Sequence, residues 1–148
     1  MAIRFYMLHK PYGCFSNFSA YGFTLDDVWW MTSEHYFQAQ KFFPSNTYYA
    51  EQIRRASSPR EAANLGRQRT IPLRADWEQV KDAVMHRAVL CKFETHADIR
   101  AILLSTGDEE IIENAPNDAY WGCGPNGDGE NKLGHILMHI RQTLRERR

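Results

Sequence analysis

The chain has 148 residues, 43% of them apolar, which suits one domain with a packed core and argues against a disordered chain. Lysine plus arginine equals aspartate plus glutamate at 18 each, so the formal net charge is zero. A protein that grips long nucleic acid through its phosphates carries a basic excess, so this composition disfavours that class.

Short strands and turns are predicted at the front of the chain. The apolar pattern predicts a strand over residues 3–7 and a hairpin over residues 23–30 that turns at Asp26-Asp27. Residues 10–19 between them are rich in turn formers and are predicted to be a loop.

Helices follow, and capping residues and prolines indicate their bounds. Thr32 or Ser33 caps a helix that runs to about Phe43 and is stopped by Pro44. A second helix covers about residues 47–56.

The clearest local signal in the sequence is Ser58-Pro59-Arg60-Glu61. It combines an N-cap, a proline at the first helical position and a capping-box glutamate. Gly66 ends this short helix, and Asp76 caps a long helix that reaches about Glu94.

The last third is predicted to contain two more helices and a long loop. Thr95 opens a helix that Gly107 ends, residues 110–113 are compatible with a strand, and residues 114–130 form a loop. Asn131 caps the final helix, which directs four apolar residues inward: Leu133, Leu137, Ile140 and Leu144.

These elements predict an α+β fold, a single helix-rich domain over residues 1–148 with a few short strands. Alternating strand and helix units are absent from the pattern, so a doubly wound sheet is disfavoured.

Cysteine usage and hydropathy predict a cytoplasmic chain. Cys14, Cys91 and Cys123 lie far apart and have neither the spacing of a disulfide framework nor that of zinc ligands. Polar residues interrupt the first 15 positions, so no signal peptide is expected. No stretch approaches the roughly 20 apolar residues of a membrane helix.

The first predicted helix carries a narrow polar stripe on an otherwise apolar or aromatic circumference. Glu34, Gln38 and Lys41 stand at i, i+4 and i+7 and therefore share one face. Two interpretations are open at this point. The stripe is either solvated, or it is the wall of a pocket in which a carboxylate and an amine have their reactivity tuned by burial.

The most unusual segment runs from Asn117 to Asn131 and contains four closely spaced glycines after an aromatic pair. Such a loop can wrap a ligand and end on a helix N-terminus that suits phosphate; the alternative is a surface loop that binds nothing. Within it, Gly122, Gly124 and Gly127 match the dinucleotide fingerprint by spacing. No strand precedes them and no helix starts at the third glycine, so a Rossmann site is rejected.

Three further patterns are typical of functional sites but also have ordinary structural explanations. His135 and His139 have the i, i+4 spacing of metal ligands, but a solvated polar face is the favoured interpretation. Trp30, Trp77 and Trp121 are each either core residues or platforms on which a base stacks, and the platform is favoured for Trp121. No nucleophile-elbow pattern supports acyl transfer.

Several of these segments together resemble the NADAR family. They are Tyr12–Phe18, Thr32–Phe42, the Gly66-Arg67 pair, Arg74 to Met85, Asn117–Gly122, and Asn131 with Leu133-Gly134, Leu137-Met138 and Arg141. The resemblance extends from about Phe5 to Leu144 and its motifs are long and ordered. It implies an enzyme that hydrolyses the ribose–nitrogen bond of ribosylamino-pyrimidine 5′-phosphates from riboflavin synthesis. Other members of the family remove ADP-ribose from ADP-ribosylated guanine in nucleic acid.

The resemblance also implies that Glu34, Lys41, Asp118 and Trp121 line the site. Cleavage develops positive charge at the anomeric carbon, which we expect Glu34 or Asp118 to stabilise while the other handles protons on the leaving base. Lys41 is either a Schiff-base nucleophile towards ring-opened ribose or, with Arg67, a phosphate binder.

The remaining expected contacts hold the base and sugar. Trp121, with Trp77, stacks the base; Asn17 and Asn131 supply hydrogen bonds; and Gly122 belongs to the loop that wraps the ligand. No metal, organic cofactor, membrane or stable protein partner is expected. The rival class is a module that binds ADP-ribose or a related nucleotide without cleaving it.

Overall fold

A computed structural model describes residues 1–147, and its regular structure consists of six α-helices and four short strands. In chain order these elements are β1 (Ile3–Phe5), β2 (Phe23–Leu25), β3 (Val28–Trp30), α1 (Ser33–Gln40), α2 (Thr47–Arg54), α3 (Pro59–Gly66), α4 (Trp77–Thr95), α5 (Ala97–Ser105), β4 (Ile111–Glu113) and α6 (Lys132–Glu146). A short 3-10 helix covers Gly13–Phe15. The predicted α+β class with dominant helices is therefore confirmed.

The chain forms two compact units. The central unit is Ala20–Lys92, and the terminal unit consists of Met1–Ser19 together with the chain from Phe93 onward. The prediction of one domain over residues 1–148 stays a prediction.

In the central unit, a hairpin, helices α1 to α3 and the part of α4 up to Lys92 enclose one apolar core. Asp26 and Asp27 have φ of 57° and 63°, the pair of left-handed residues that a two-residue turn needs when it joins right-twisted strands. Helix α1 packs on α2, α3 and β3. The core comprises Phe23, Trp30, Tyr36, Ala39, Phe42, Tyr49, Ala50, Ile53, Ala56, Ala62 and Ala88.

In the terminal unit, two strands far apart in sequence form a parallel pair. Ile3 lies opposite Ile111, and Phe5 lies opposite Glu113. Helix α6 packs on β4 and α5 through the four apolar residues predicted to face inward, all of which are buried. His135 and His139 lie on its exposed face, as predicted.

Several predicted boundaries shift by a few residues. Helix α1 ends at Gln40 rather than about Phe43, which makes Lys41 its C-cap. Helix α5 begins at Ala97 with His96 as its N-cap, not at Thr95. Among the described residues, no helix combines the length and the apolar character needed to cross a membrane.

The capping prediction for α3 is confirmed in part. Ser58 Oγ accepts a hydrogen bond from the Glu61 amide at 3.1 Å, and Pro59 opens the helix. The Glu61 carboxylate reaches back to Ser57, where it accepts from the hydroxyl at 2.7 Å and from the amide at 3.3 Å. The reciprocal half of the capping box is therefore displaced by one residue.

Candidate active site

Helix α1 places its polar side chains inside the central unit. Thr32 caps it by accepting a hydrogen bond from the His35 amide at 3.1 Å, so Glu34 falls in the first turn. All residues from Ser33 to Ala39 are buried. The stripe of Glu34, Gln38 and Lys41, called here the α1 polar cluster, is therefore not a solvated face.

The cluster brings a carboxylate and an amide into contact. Glu34 is 8% exposed and Gln38 is 5% exposed. Gln38 Nε2 donates to Glu34 Oε2 at 2.7 Å, which is the i, i+4 contact that the helical spacing allows. A donor from a neutral group favours the ionised form of a carboxylate and limits its rotation.

Lys41 is a buried amine at the end of the same helix. It is 7% exposed, its Nζ donates to the Gly66 carbonyl at 3.4 Å, and Nζ lies 5.7 Å from the centroid of the Phe37 ring. Burial is the largest cause that lowers its pKa from 10.5 to about 8, and the positive charges of Arg69, Arg67 and Lys81 lower it further. Glu34 acts in the opposite direction.

Arg69 was not predicted from the sequence, yet it shares an acceptor with Lys41. Its Nη1 donates to the same Gly66 carbonyl at 3.0 Å. Arg67, the C-cap of α3, is exposed. The site therefore has two exposed guanidinium groups close enough to Lys41 to repel its proton, which is the charge pattern that attracts an anion.

Trp77, at the start of α4, is a buried aromatic residue. It is 5% exposed and packs against Phe37 with ring centroids 5.1 Å apart. This burial favours the core interpretation of Trp77, and its stacking role stays a prediction. Trp77 supports Phe37, and Phe37 in turn lies beneath the Lys41 amine. Trp30, 6% exposed and edge-on to Tyr36, is also a core residue.

Asp118 and Trp121 lie together in the terminal unit. Asp118 Oδ1 accepts from the amides of Tyr120 at 3.1 Å and Trp121 at 2.9 Å, which fixes a tight turn. Trp121 is half-buried and meets Tyr120 edge-on, with ring centroids 4.9 Å apart. The carboxylate has a structural duty here, and a catalytic duty for Asp118 stays a prediction.

The glycine-rich loop is explained largely by close packing against itself. A Cβ on Gly122 would lie 2.9 Å from the Glu113 carbonyl oxygen and 3.1 Å from that of Asp118. Gly129 donates its amide to the Cys123 carbonyl at 2.7 Å. Gly122 is buried within the loop and packs closely there, and its predicted contact with a ligand stays a prediction.

Asn131 also has a role that the sequence did not predict. Its backbone is left-handed, with φ of 52°, and its side chain makes no capping hydrogen bond to α6. Instead, Oδ1 accepts from the Glu113 amide at 3.0 Å and Nδ2 donates to the Ile111 carbonyl at 2.9 Å. Asn131 is thus the N-cap residue of α6, as predicted, but without a capping hydrogen bond from its side chain. Its amide ties α6 to β4, and its contact with a substrate stays a prediction. Asn17, also predicted to bind substrate, is 8% exposed.

Two cavities lie away from these residues. One, of about 260 Å³ in the central unit, has an apolar floor of Val28, Trp30, Phe43 and Ala50, with Gln40 at its wall. Another, of about 520 Å³ in the terminal unit, is lined by residues of α4, α5 and α6 and by Arg147. None of the predicted site residues lines either cavity.

The structure thus assembles two groups of predicted site residues, each within its own unit. Glu34 and Lys41 belong to the α1 polar cluster, with Arg67 and the unpredicted Arg69 beside Lys41. Asp118 and Trp121 share one turn. The sequence spacing of Glu34 and Gln38 was enough to suggest their contact, whereas nothing in the local pattern around Arg69 pointed to Lys41.

The chain is similar to characterised proteins along nearly its whole length. It is 53% identical over 146 residues to "N-glycosidase Npun_R5314" from Nostoc punctiforme, an alignment that covers 98% of this chain and 94% of the relative. It is 51% identical over 142 residues to "N-glycosidase YbiA" from Escherichia coli K12, covering 96% of this chain and 88% of the relative. A solved NMR structure of E. coli YbiA superimposes with a TM-score of 0.90 at 50% identity, covering 99% of this chain and 86% of that one.

A more distant relative is a larger protein. "Riboflavin biosynthesis protein PYRR, chloroplastic" from Zea mays is 40% identical over 155 residues, which cover 96% of this chain but 25% of the maize protein. The family model of the NADAR domain matches residues 4–145. The chain belongs to the NADAR domain family.

Proposed function

We propose that this protein is an N-glycosidase that hydrolyses the ribose–nitrogen bond of ribosylamino-pyrimidine 5′-phosphates from riboflavin synthesis. The observation that carries the proposal is the α1 polar cluster, in which a buried carboxylate, held by an amide, lies on the same helix face as a buried amine of lowered pKa. The printed names of the relatives, N-glycosidases and a riboflavin biosynthesis protein, support the bond type and the substrate class.

The chemistry needs a fixed negative charge. When the bond between C1′ and the base nitrogen breaks, C1′ gains positive charge, and a carboxylate held rigidly near it stabilises that charge without reorganising. Glu34 is the described carboxylate with the required burial and support. It can also take one proton from the attacking water, whose hydroxyl joins C1′, and that proton balances the one that the base nitrogen takes up as it leaves.

Lys41 has two candidate roles, and the pH dependence of activity distinguishes them. As a free amine it can add to C1′ of the ring-opened sugar, where it displaces the base nitrogen, which leaves with a proton. Water then hydrolyses the Schiff base between Lys41 and C1′ to the sugar aldehyde and the free amine. As a charged ammonium it binds the 5′-phosphate with Arg67 and Arg69. Because its pKa is about 8, the first role predicts activity that rises with pH through 8. The second predicts activity that falls above 8.

Asp118 and Trp121 complete the proposal as separate elements. The half-buried Trp121 ring has the exposure that a stacking platform requires, and stacking contributes about 1–3 kcal/mol per base. Asp118 is the candidate for handling protons on the leaving base. The cytoplasmic location predicted from the cysteine pattern is part of the same proposal.

The test measures the release of free base from the ribosylamino-pyrimidine phosphate by chromatography. It compares the wild type with Glu34→Gln and Glu110→Gln. Glu110 is an exposed glutamate, so its substitution controls for the chemical change itself. We expect Glu34→Gln to lose at least about 100-fold in kcat and Glu110→Gln to match the wild type.

Parallel incubations define the alternatives. Release of ADP-ribose and guanosine from ADP-ribosylated guanosine alone would keep the bond type and replace the substrate. Calorimetric binding of ADP-ribose without release of any base would make this chain a binding module and overturn the proposal.

A further inference from the structure

Gln38 is a buried polar residue that the proposed reaction does not yet use. Its Nε2 donates to Glu34 Oε2 at 2.7 Å, while its Oε1 is buried and has no hydrogen-bond partner among residues 1–147. A buried amide oxygen without a partner is unfavourable, and an apolar side chain of similar volume would avoid that cost. The donor is therefore the half of this amide that makes a hydrogen bond in the structure.

Gly66 at the end of α3 fixes where that amide can lie. A Cβ at this position would overlap Gln38 Oε1 and would lie 2.7 Å from its Cδ. Any larger residue at 66 must push the amide away from its present place. The absence of a side chain here also brings the Gly66 carbonyl to Lys41 and Arg69. One residue of α3 thus sets the position of two members of the α1 polar cluster.

We propose that Gln38 is a positioning residue that holds Glu34 in place and keeps it ionised, with Gly66 providing the space. This inference rests on the proposed function, in which Glu34 faces the developing positive charge. An amide suits this task because it donates a hydrogen bond, carries no charge and does not titrate in the working range of pH. A lysine or arginine at the same position would neutralise the carboxylate and weaken its effect on the cation.

The experiment compares kcat/KM against pH for the wild type, Gln38→Met, Gln38→Glu, Gly66→Ala and Gln40→Met, with thermal unfolding of each. Methionine keeps the length of the side chain and removes the donor. Gln40 lies on the same helix and lines the 260 Å³ cavity, so Gln40→Met is the matched control.

We expect Gln38→Met to lose about 10- to 100-fold in kcat/KM at pH 7, the range for a hydrogen bond to a charged group. The acid limb of its profile should move to higher pH, because the carboxylate then takes up a proton more readily. Gly66→Ala should behave in the same way without altering either partner. Gln38→Glu should recover activity only at acid pH, where the new carboxyl group still has a proton to donate.

The outcomes separate this inference from the proposed function. If Glu34→Gln is inactive while Gln38→Met and Gly66→Ala keep the wild-type profile, the positioning role is overturned and the function stands. If the wild type releases no base from any substrate, both fail. If Gln38→Met does not fold, the profiles of Gln38→Glu and Gly66→Ala decide, and a Gln38→Glu profile parallel to the wild type overturns the role.

Discussion

Replacing Lys41 by methionine should stabilise the protein near neutral pH. The folded protein holds the Lys41 ammonium in a buried site where its pKa is about 8, against 10.5 for an unperturbed lysine. The difference, at about 1.4 kcal/mol per pH unit, corresponds to about 3 kcal/mol of unfavourable free energy for keeping the charged form folded. Methionine preserves the length and removes the charge. Loss of the hydrogen bond that Lys41 Nζ donates to the Gly66 carbonyl makes about 3 kcal/mol the upper value.

The pH dependence gives the sign of the effect. Between about pH 8 and 10.5 the unfolded chain binds the lysine proton and the folded protein does not. The wild type therefore gains about 1.4 kcal/mol of unfolding free energy per pH unit from this residue over that range, relative to Lys41→Met. The gain is complete above pH 10.5 and is lost as pH falls to 8.

Urea unfolding at pH 7, 8.5 and 10 measures this difference directly. We expect the unfolding free energy of Lys41→Met to exceed that of the wild type at pH 7 and most of the difference to have disappeared by pH 10. Lys10→Met, at an exposed position, should show no such convergence. Stability curves for Lys41→Met and the wild type that stay parallel from pH 7 to 10 would refute the argument that Lys41 is buried with a lowered pKa.

Two further predictions concern the terminal unit. Asp118→Asn keeps an oxygen that can accept from the Tyr120 and Trp121 amides, so its melting temperature should match the wild type while its kcat falls if the carboxylate transfers a proton. Asp118→Ala should lose about 1 kcal/mol of stability by urea unfolding. Full activity in Asp118→Asn would confine this residue to holding the turn. Gly122→Ala should lose about 1–3 kcal/mol, because its Cβ would lie 2.9 Å from the Glu113 carbonyl oxygen; an unchanged unfolding curve would contradict the packing role.

The elements that were predicted correctly are those whose structure is determined by a few neighbouring residues. Ser58-Pro59 marks the start of α3 because an N-cap and a proline act on the adjacent backbone, and both function as expected. Asp26-Asp27 marks the hairpin because few residues tolerate a left-handed turn, and both adopt one. Local chemistry of this kind can be read without knowledge of the rest of the chain.

The contacts that the sequence did not predict involve partners distant in the chain. The side-chain amide of Asn131 is hydrogen-bonded to Glu113 and Ile111 of β4, 18 and 20 residues earlier in the chain. The residues next to Asn131 contain no pattern that predicts this contact. Trp77 is buried by Phe37, forty positions before it, so its aromatic character alone could not distinguish a core residue from a platform.

The candidate site also contains features that local sequence predicts and features that depend on distant contacts. The face shared by Glu34 and Lys41 follows from helical periodicity, and their burial follows from packing on α2 and α3. Arg69 was not predicted because it is brought to Lys41 by the end of α3, where both donate to the Gly66 carbonyl.

The parallel pairing of Ile3 with Ile111 has a consequence for how the protein is made on the ribosome. The central unit is one continuous stretch of chain, so its core can close while the C-terminal part is still being translated. Strand β1 cannot pair at that stage, because its partner β4 is synthesised more than a hundred residues later. Until then, the backbone groups of β1 lack their strand partner. Premature termination within α5 would release nascent chains with an unprotected edge that invites association with other chains.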